Sequence, residues 1–251
     1  GTTPTGTVTV LDGTTPIGTC TLAAGTCAVT TAALPSGAYS LTAAYLGDAS
    51  HEADVSPILF QAVASATSVA IGAAPASSVF GAAVTFTFTV TSADGTTPTG
   101  AVTFANGSLP LGSCSLSSGT CSIARSDLTA GTQSLVATYG GDANHLGSTG
   151  TRSHVVAKAS TGATVVSSLP SSTFGQSVGF SIAVTSANGT VPTGTATLYD
   201  GAIAAGTCPL VAGACTVAKS DLSAGVHAIT ARYNGDANHD PVVSAAIAQS
   251  V

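Results

Sequence analysis

Residues 83–91 read AVTFTFTVT. Val84, Phe86, Phe88 and Val90 alternate with Thr85, Thr87 and Thr89. This period of two sends one set of side chains into a core and the other to water, the mark of a half-buried strand. On either side, turn chemistry alternates with further short stretches of this kind. Residues 93–100 (ADGTTPTG) are a loop built on Asp-Gly, Pro and Gly. Asn106-Gly107 is a hairpin signal, and 126–131 reads as a corner. Strands are expected at 67–71, 83–91, 101–105, 109–116, 120–124, 133–139 and 148–156. Seven short strands with no sustained 3.6-residue period predict an all-β, immunoglobulin-like sandwich.

That pattern occurs three times. Pro4, Pro98 and Pro192 are spaced 94 residues apart, and so are Tyr45, Tyr139 and Tyr233. The period is too long for helical solenoid repeats and fits one sandwich per copy. The copies are expected at 1–63, 64–157 and 158–251. The first starts at the position equivalent to Gly95, so it lacks its first two strands. The chain contains no Met, and the expectation is a window from a longer repeating chain.

Composition narrows the function classes. Charged residues make up only 6% of the chain, with 11 acids, 5 Lys or Arg and a net charge of −6. The chain has no basic patch for nucleic acid. It also has no polybasic anchor and no apolar run long enough for a spanning helix, so membrane insertion is not expected.

Three strings carry a resemblance to a known family: GTTPTGTVTVLDG (1–13), LTAGTQSLVATYGGDAN (128–144) and LSAGVHAITARYNGDANH (222–239). They resemble the bacterial immunoglobulin-like repeats of group 3. The GDA-Asn-His loop after Tyr139 and Tyr233 is the most specific part; the first copy departs to GDASH, with Ser50 in place of Asn. The resemblance covers the whole chain. It implies a tandem array with an adhesive or spacer role, and no catalytic residues.

Each copy holds a C-x6-C pair: Cys20 and Cys27, Cys114 and Cys121, Cys208 and Cys215. Each pair straddles a hairpin turn, at Ala23-Ala24-Gly25 in the first copy. With Leu22 facing Gly25 and Thr21 facing Thr26, Cys20 faces Cys27, within disulfide range, and a Gly-bulged turn that shifts the pairing by one keeps the pair adjacent. Three intradomain disulfides are expected, distinct from the inter-sheet bond of antibody domains. They imply an oxidising compartment, outside the cell or on its surface. No further Cys or His stands at metal-ligand spacing within a copy.

The recurring polar positions are Asp48 and His51, Asp142 and His145, and Asp236 and His239. Each Asp reads as a turn cap and each His as joint packing, because no nucleophile or third ligand accompanies them. Strand order places these loops at the joints: 140–145 should face the 31–37 corner of the copy before, and 235–239 should face 126–131. A calcium reading of Glu52, Asp54 and Asp94 is weakened because the acids do not recur; Asp94 aligns with Asn188. Tyr39 matches the tyrosine-corner position, but Gln133 and His227 take its place in the other copies. Asn106 and Asn188 begin glycosylation-type triplets that also suit turns.

No catalytic residue, cofactor or metal site is expected. The expected role is an extracellular structural repeat forming a semi-rigid rod or filament, with copies of itself as partner. Each copy should add about 35–45 Å. The competing reading is a cell-surface adhesin or a stalk for an enzyme outside this chain, with a glycan or protein as target.

Overall fold

The alternating stretches fold as strands. The computed structural model describes residues 1–31 and 34–251. In the first copy these are β1 (Thr7–Asp12), β2 (Thr15–Thr21), β3 (Gly37–Tyr45), β4 (Asp54–Val55) and β5 (Leu59–Val63). The middle copy has β6 (Thr67–Ala74), β7 (Ser78–Val79), β8 (Val84–Ser92), β9 (Ala101–Asn106), β10 (Leu109–Ser115), β11 (Thr120–Arg125), β12 (Gly131–Tyr139) and β13 (Ser148–Ala157). The third has β14 (Thr161–Ser167), β15 (Val178–Ser186), β16 (Thr195–Asp200), β17 (Ile203–Pro209), β18 (Ala214–Lys219), β19 (Val226–Tyr233), β20 (Val242–Val243) and β21 (Ile247–Ser250). The chain gathers into two compact units. One comprises Gly1–Ile71, Thr87–Ser122 and Val136–Thr151; the other comprises Gly72–Phe86, Ile123–Leu135 and Arg152–Val251.

The third copy lies wholly in the second unit and shows the sandwich plainly. One sheet runs β14-β15-β18, the other β17-β16-β19-β20, with β21 also on β19. Phe180 lies opposite Val217 across β15 and β18, and Leu198 lies opposite Ala231 across β16 and β19. Phe180, Ile182, Leu198, Ile229 and Tyr233 are all buried in one core. Alternation alone produces this, since every second residue of a strand points inward.

Seven strands per copy is not what each copy has. The middle copy adds β7, which pairs parallel with the end of β13. In the first and third copies the last strand is broken in two. There the Ser56 and Ser244 hydroxyls take the N–H groups of Ala43 and Ala231, at 2.9 Å each. Gly150 holds the same position in the middle copy, has no hydroxyl to offer, and β13 runs through unbroken. Among the described residues, the first copy has one sheet, β2-β1-β3-β4 with β5 on β3. Val8, Val10, Leu41, Ala43 and Tyr45 are therefore only half-buried, whereas their counterparts Val102, Phe104, Leu135, Ala137 and Tyr139 are buried. Phe60 is 79% exposed, while His154 at the same position is buried against Ser78 and edge-on to Phe86.

The cysteine geometry corrects the hairpin reading. Disulfides join Cys20 to Cys27, Cys114 to Cys121 and Cys208 to Cys215, with Cα–Cα distances of 5.7, 5.9 and 5.9 Å. The turn lies one residue further along than that pairing has it: Ala212 and Gly213 both have positive φ, closed by the Val211–Ala214 bridge. Beyond that bridge the strands part. Cys208 lies opposite Ala196 on β16, while Cys215 lies opposite Ile182 on β15. The bond therefore does link the two sheets, at the corner where the chain crosses between them. Gly206 makes the approach feasible, because a Cβ there would lie 2.6 Å from Val217 Cγ1.

Replacing Cys208 and Cys215 together by alanine should lower the stability of the third copy by about 2–3 kcal/mol, the loop-closure value for so short a ring. Chemical denaturation of the two chains checks this. Equal midpoints would mean the corner is held by packing alone.

Candidate functional site

The Asp–His loops are built alike in all three copies, from residues of one strand connection closing on another. In the first unit, Asp142 Oδ2 accepts from the Thr99 N–H at 2.9 Å and its hydroxyl at 2.8 Å. Its Oδ1 accepts from Asn144 N at 2.9 Å and from His145 Nδ1 at 2.7 Å. His145 Nε2 then meets Thr96 Oγ1 at 2.8 Å. In the second unit, Asp236 holds Thr193, Asn238 and His239 in the same way, and His239 Nε2 meets Thr190 Oγ1 at 2.8 Å. In the first copy, Asp48 holds Thr5, Ser50 and His51. Each Asp N–H also bonds the carbonyl of its His.

Donors outweigh solvation at these carboxylates. Burial raises the cost of charge on Asp142 and Asp236, yet the hydrogen bonds from Thr99 and Thr193, from Asn144 and Asn238, and from the histidines hold both below the usual carboxylate range. Asp48 is lowered by Thr5, Ser50 and His51. The tyrosines beneath respond in the opposite sense: burial, reinforced by Asp142, pushes the Tyr139 hydroxyl up to about 12.

The Asp–His–Thr distances match those of a nucleophile–base–acid relay, but the proton inventory does not. Thr96 Oγ1 has one hydrogen and gives it to Asp94 Oδ1 at 2.6 Å. In the first copy, His51 Nε2 faces the Thr2 carbonyl at 3.0 Å, which can only accept. A carboxylate on Nδ1 and a carbonyl on Nε2 make His51 a double donor, and the Asp48 carboxylate and the Thr2 carbonyl raise its pKa. Such a ring clasps a loop and does not abstract a proton. Two hollows of about 320 and 300 Å³ lie at equivalent places beside Pro98 with Gly119 and Pro192 with Gly213; neither is lined by an acid, a base or a thiol. Among the described residues, no three His, Cys, Asp or Glu side chains cluster.

The strand connections at this end, the Asp–His loop of the third copy among them, also meet the copy that precedes them. Within the second unit, Ala130 N donates to Asn238 Oδ1 at 2.9 Å, so the 126–131 corner meets 235–239. Asn188 Nδ2 donates to the Phe80 carbonyl, and the Phe80 ring stands edge-on to His239 at 5.4 Å and 81°. The linker is bonded too: Ala159 N to Asn238 O at 2.9 Å, and Asp240 N to Ala159 O at 3.0 Å. Within the first unit, Ser36 Oγ donates to Asp94 Oδ2, and Ser65 is held by Asn144 and Leu146. Asp94, considered above for calcium, is occupied by the hydroxyls of Ser36, Ser92 and Thr96, which lower its pKa. Of the 31–37 corner, Ala32 and Ala33 lie outside the described residues.

One device escapes a comparison of residue types. Tyr39 donates to the Pro35 carbonyl at 2.6 Å, Gln133 to Thr129 O at 2.8 Å, and His227 Nε2 to Ser223 O at 2.8 Å. Three unlike side chains at one repeat position each bond the carbonyl four residues back. Only the shared capacity to donate signals it.

A match to a known family agrees with this architecture. The family described as bacterial Ig-like domain (group 3) matches residues 1–64, 71–157 and 165–251, and the chain belongs to that family. No curated protein matches the chain. Among solved structures, the fibronectin(III)-like modules of Clostridium thermocellum CbhA are 15% identical, cover 72% of this chain and 91% of theirs, and have a TM-score of 0.30. The Yersinia pseudotuberculosis adhesin InvE is 18% identical over 70% of this chain and 58% of its own, with a TM-score of 0.39. The Escherichia coli adhesin FdeC is 15% identical over 84% and 74%, with a TM-score of 0.30.

Two measurements test the loop chemistry. Asp236→Ala leaves the Thr193, Asn238 and His239 donors without their acceptor and should cost about 2–3 kcal/mol at neutral pH. Because the folded carboxyl is depressed, that difference is present above about pH 4 and fades as pH falls further. An unchanged unfolding midpoint at pH 7 would sink the clasp. At the corner, the Ser223 carbonyl and Asp200, 2.6 Å from Nδ1, raise the His227 pKa. Its contribution is complete below about pH 6.5 and is lost as pH rises through the folded value. His227→Gln, copying Gln133, should keep the carbonyl bond and remove that pH-dependent part. Parallel stability–pH curves for the two chains would contradict this.

Proposed function

We propose that this group 3 bacterial Ig-like chain is a structural spacer of the cell exterior, an array of sandwiches held end to end as a semi-rigid rod whose partners are copies of itself. The copies are read as 1–63, 64–157 and 158–251. The observation that carries the proposal is the bonded joint. The linker residues Ser65 and Ala159 form bridges to His145 and His239 of the loops they enter, the 31–37 corner reaches Asp94, and the 126–131 corner reaches Asn238 of the copy that follows. A linker whose backbone groups are already paired has little freedom left to swing.

The rest of the molecule supports a passive role. The repeated histidines are clasped, and the hollows lack titratable groups. Three disulfides suit an oxidising exterior. A charge density of 6% leaves little repulsion between neighbouring rods, which favours lateral association into filaments. Among the described residues, no helix is long and apolar enough to cross a membrane.

Dye or spin-label pairs placed on the middle and third copies test the rod. A single narrow distance distribution is expected, broadened by Phe80→Ala with Asn238→Ala, while each copy keeps its own unfolding midpoint. A native distribution as broad as that of the variant would overturn the reading. Negative-stain imaging of native material separates filaments from isolated cell-tethered rods, the latter favouring an adhesin or stalk.

A further inference from the structure

We infer that the surface of the third copy carrying Phe174 is a docking face for the Asp–His end of a further copy of this repeat. The inference rests on the spacer reading and names the contact that such a spacer uses at this face.

The warrant is what the middle copy does with the same residues. Inside the second unit, Phe80 has two engagements with the third copy. Its carbonyl accepts from Asn188 Nδ2, and its ring meets the His239 imidazole edge-on. The neighbouring Gly81 has φ +82 and is closely covered: a Cβ there would stand 2.5 Å from Thr190 Cγ2 and 2.8 Å from Asn188 Nδ2. Nearby, Ala130 N donates to Asn238 Oδ1. One repeat later stand Phe174, Gly175 and Ala224. The turn is the same, with φ +84 at Gly175, but a Cβ there would meet nothing within 4 Å. Phe174 is 73% exposed.

Phe174 lies outside the core of its own sandwich, being absent from the core cluster and from the residues packed on it. A large aromatic standing free on a turn marks an interaction surface when its surroundings specify a partner. Here they do. The ring edge or face suits an imidazole, the Phe174 carbonyl suits an amide donor, and the bare Gly175 backbone leaves room for a threonine methyl. An Asn-Gly-Thr loop beside a Gly-Asp-Ala-Asn-His loop presents that set, as the third copy itself does to Phe80. The occupant is therefore a copy of this kind.

The experiment appends residues 158–251 once more after Val251 and compares the two chains by hydroxyl-radical footprinting. Phe80 is the internal standard and should be equally protected in both. Phe174 should react as an exposed ring in the 251-residue chain and several-fold more slowly, at the Phe80 level, in the extended one. Placing Asn188→Ala and His239→Ala in the added copy alone should restore its reactivity. Undiminished Phe174 labelling in the extended chain, with Phe80 still protected, would overturn the inference, as would protection that survives both substitutions. Labels across the Phe80 joint report separately on the spacer reading, so the two failures cannot be confused.

Discussion

A carboxylate with every lone pair spoken for sets the geometry of each loop that matters here. Asp142 and Asp236 are largely removed from water, where an unpaired charge would be expensive. They stay ionised because a threonine just ahead of the neighbouring strand, the loop backbone and a histidine all donate to them. That demand fixes the loop: the histidine must turn back onto the aspartate, which brings its far nitrogen to Thr96 or Thr190 and its backbone to the incoming linker. The linker's first residues then bond the loop, and in the third copy the corner of the preceding copy closes on Asn238. Remove the acceptor and the donors lose the one group that holds them together.

Much of this was legible in the sequence because the period is long and regular. Alternation at 83–91 names the inward residues, and Phe86, Phe88 and Val90 are buried as it requires. What was not legible is instructive. Ala212-Gly213 reads locally as a hairpin turn, and its φ values are those of one. Whether the chain folds back on itself or crosses to the other sheet depends on which neighbour offers backbone partners to Cys215. That neighbour is β15, some thirty residues upstream, and nothing local to the turn points to it. The corner is legible at Tyr39 but not at Gln133 and His227, for the opposite reason: the role is constant and the residue type is not. The broken last strand turned on one hydroxyl, present at Ser56 and Ser244 and absent at Gly150.

The first copy separates what a strand needs from what a core needs. Its five strands pair in the same order as their counterparts, and Tyr45 still donates its hydroxyl, to Thr5 O at 2.9 Å. Without a second sheet its inward residues remain half-covered, and the stretch after Cys27 is not a strand at all. Backbone pairing within one sheet therefore does not require the sandwich to close. Burial does, and so does the strand that in the other copies belongs to the opposite sheet.

The joints also differ from one another in a way that packing would not demand. Core positions change freely among apolar residues of different volume: Val10, Phe104 and Leu198 share one site. Such exchanges are tolerated when neighbours compensate. At the joint, the exchanges follow hydrogen-bond sign. Ser36 brings a hydroxyl, and the residue it meets is Asp94, which can only accept. Ala130, at the position of Ser36, brings only its backbone N–H, which the Asn238 carbonyl oxygen accepts. Asn188, at the position of Asp94, has a donor that an aspartate lacks and gives it to the Phe80 carbonyl. Exchanging Asp94 and Asn188 would leave one joint with an acceptor facing a carbonyl and the other with an amide in place of a carboxylate. The two joints are built to one plan but matched to different neighbours, so the order of the copies is itself written into the polar residues at their ends.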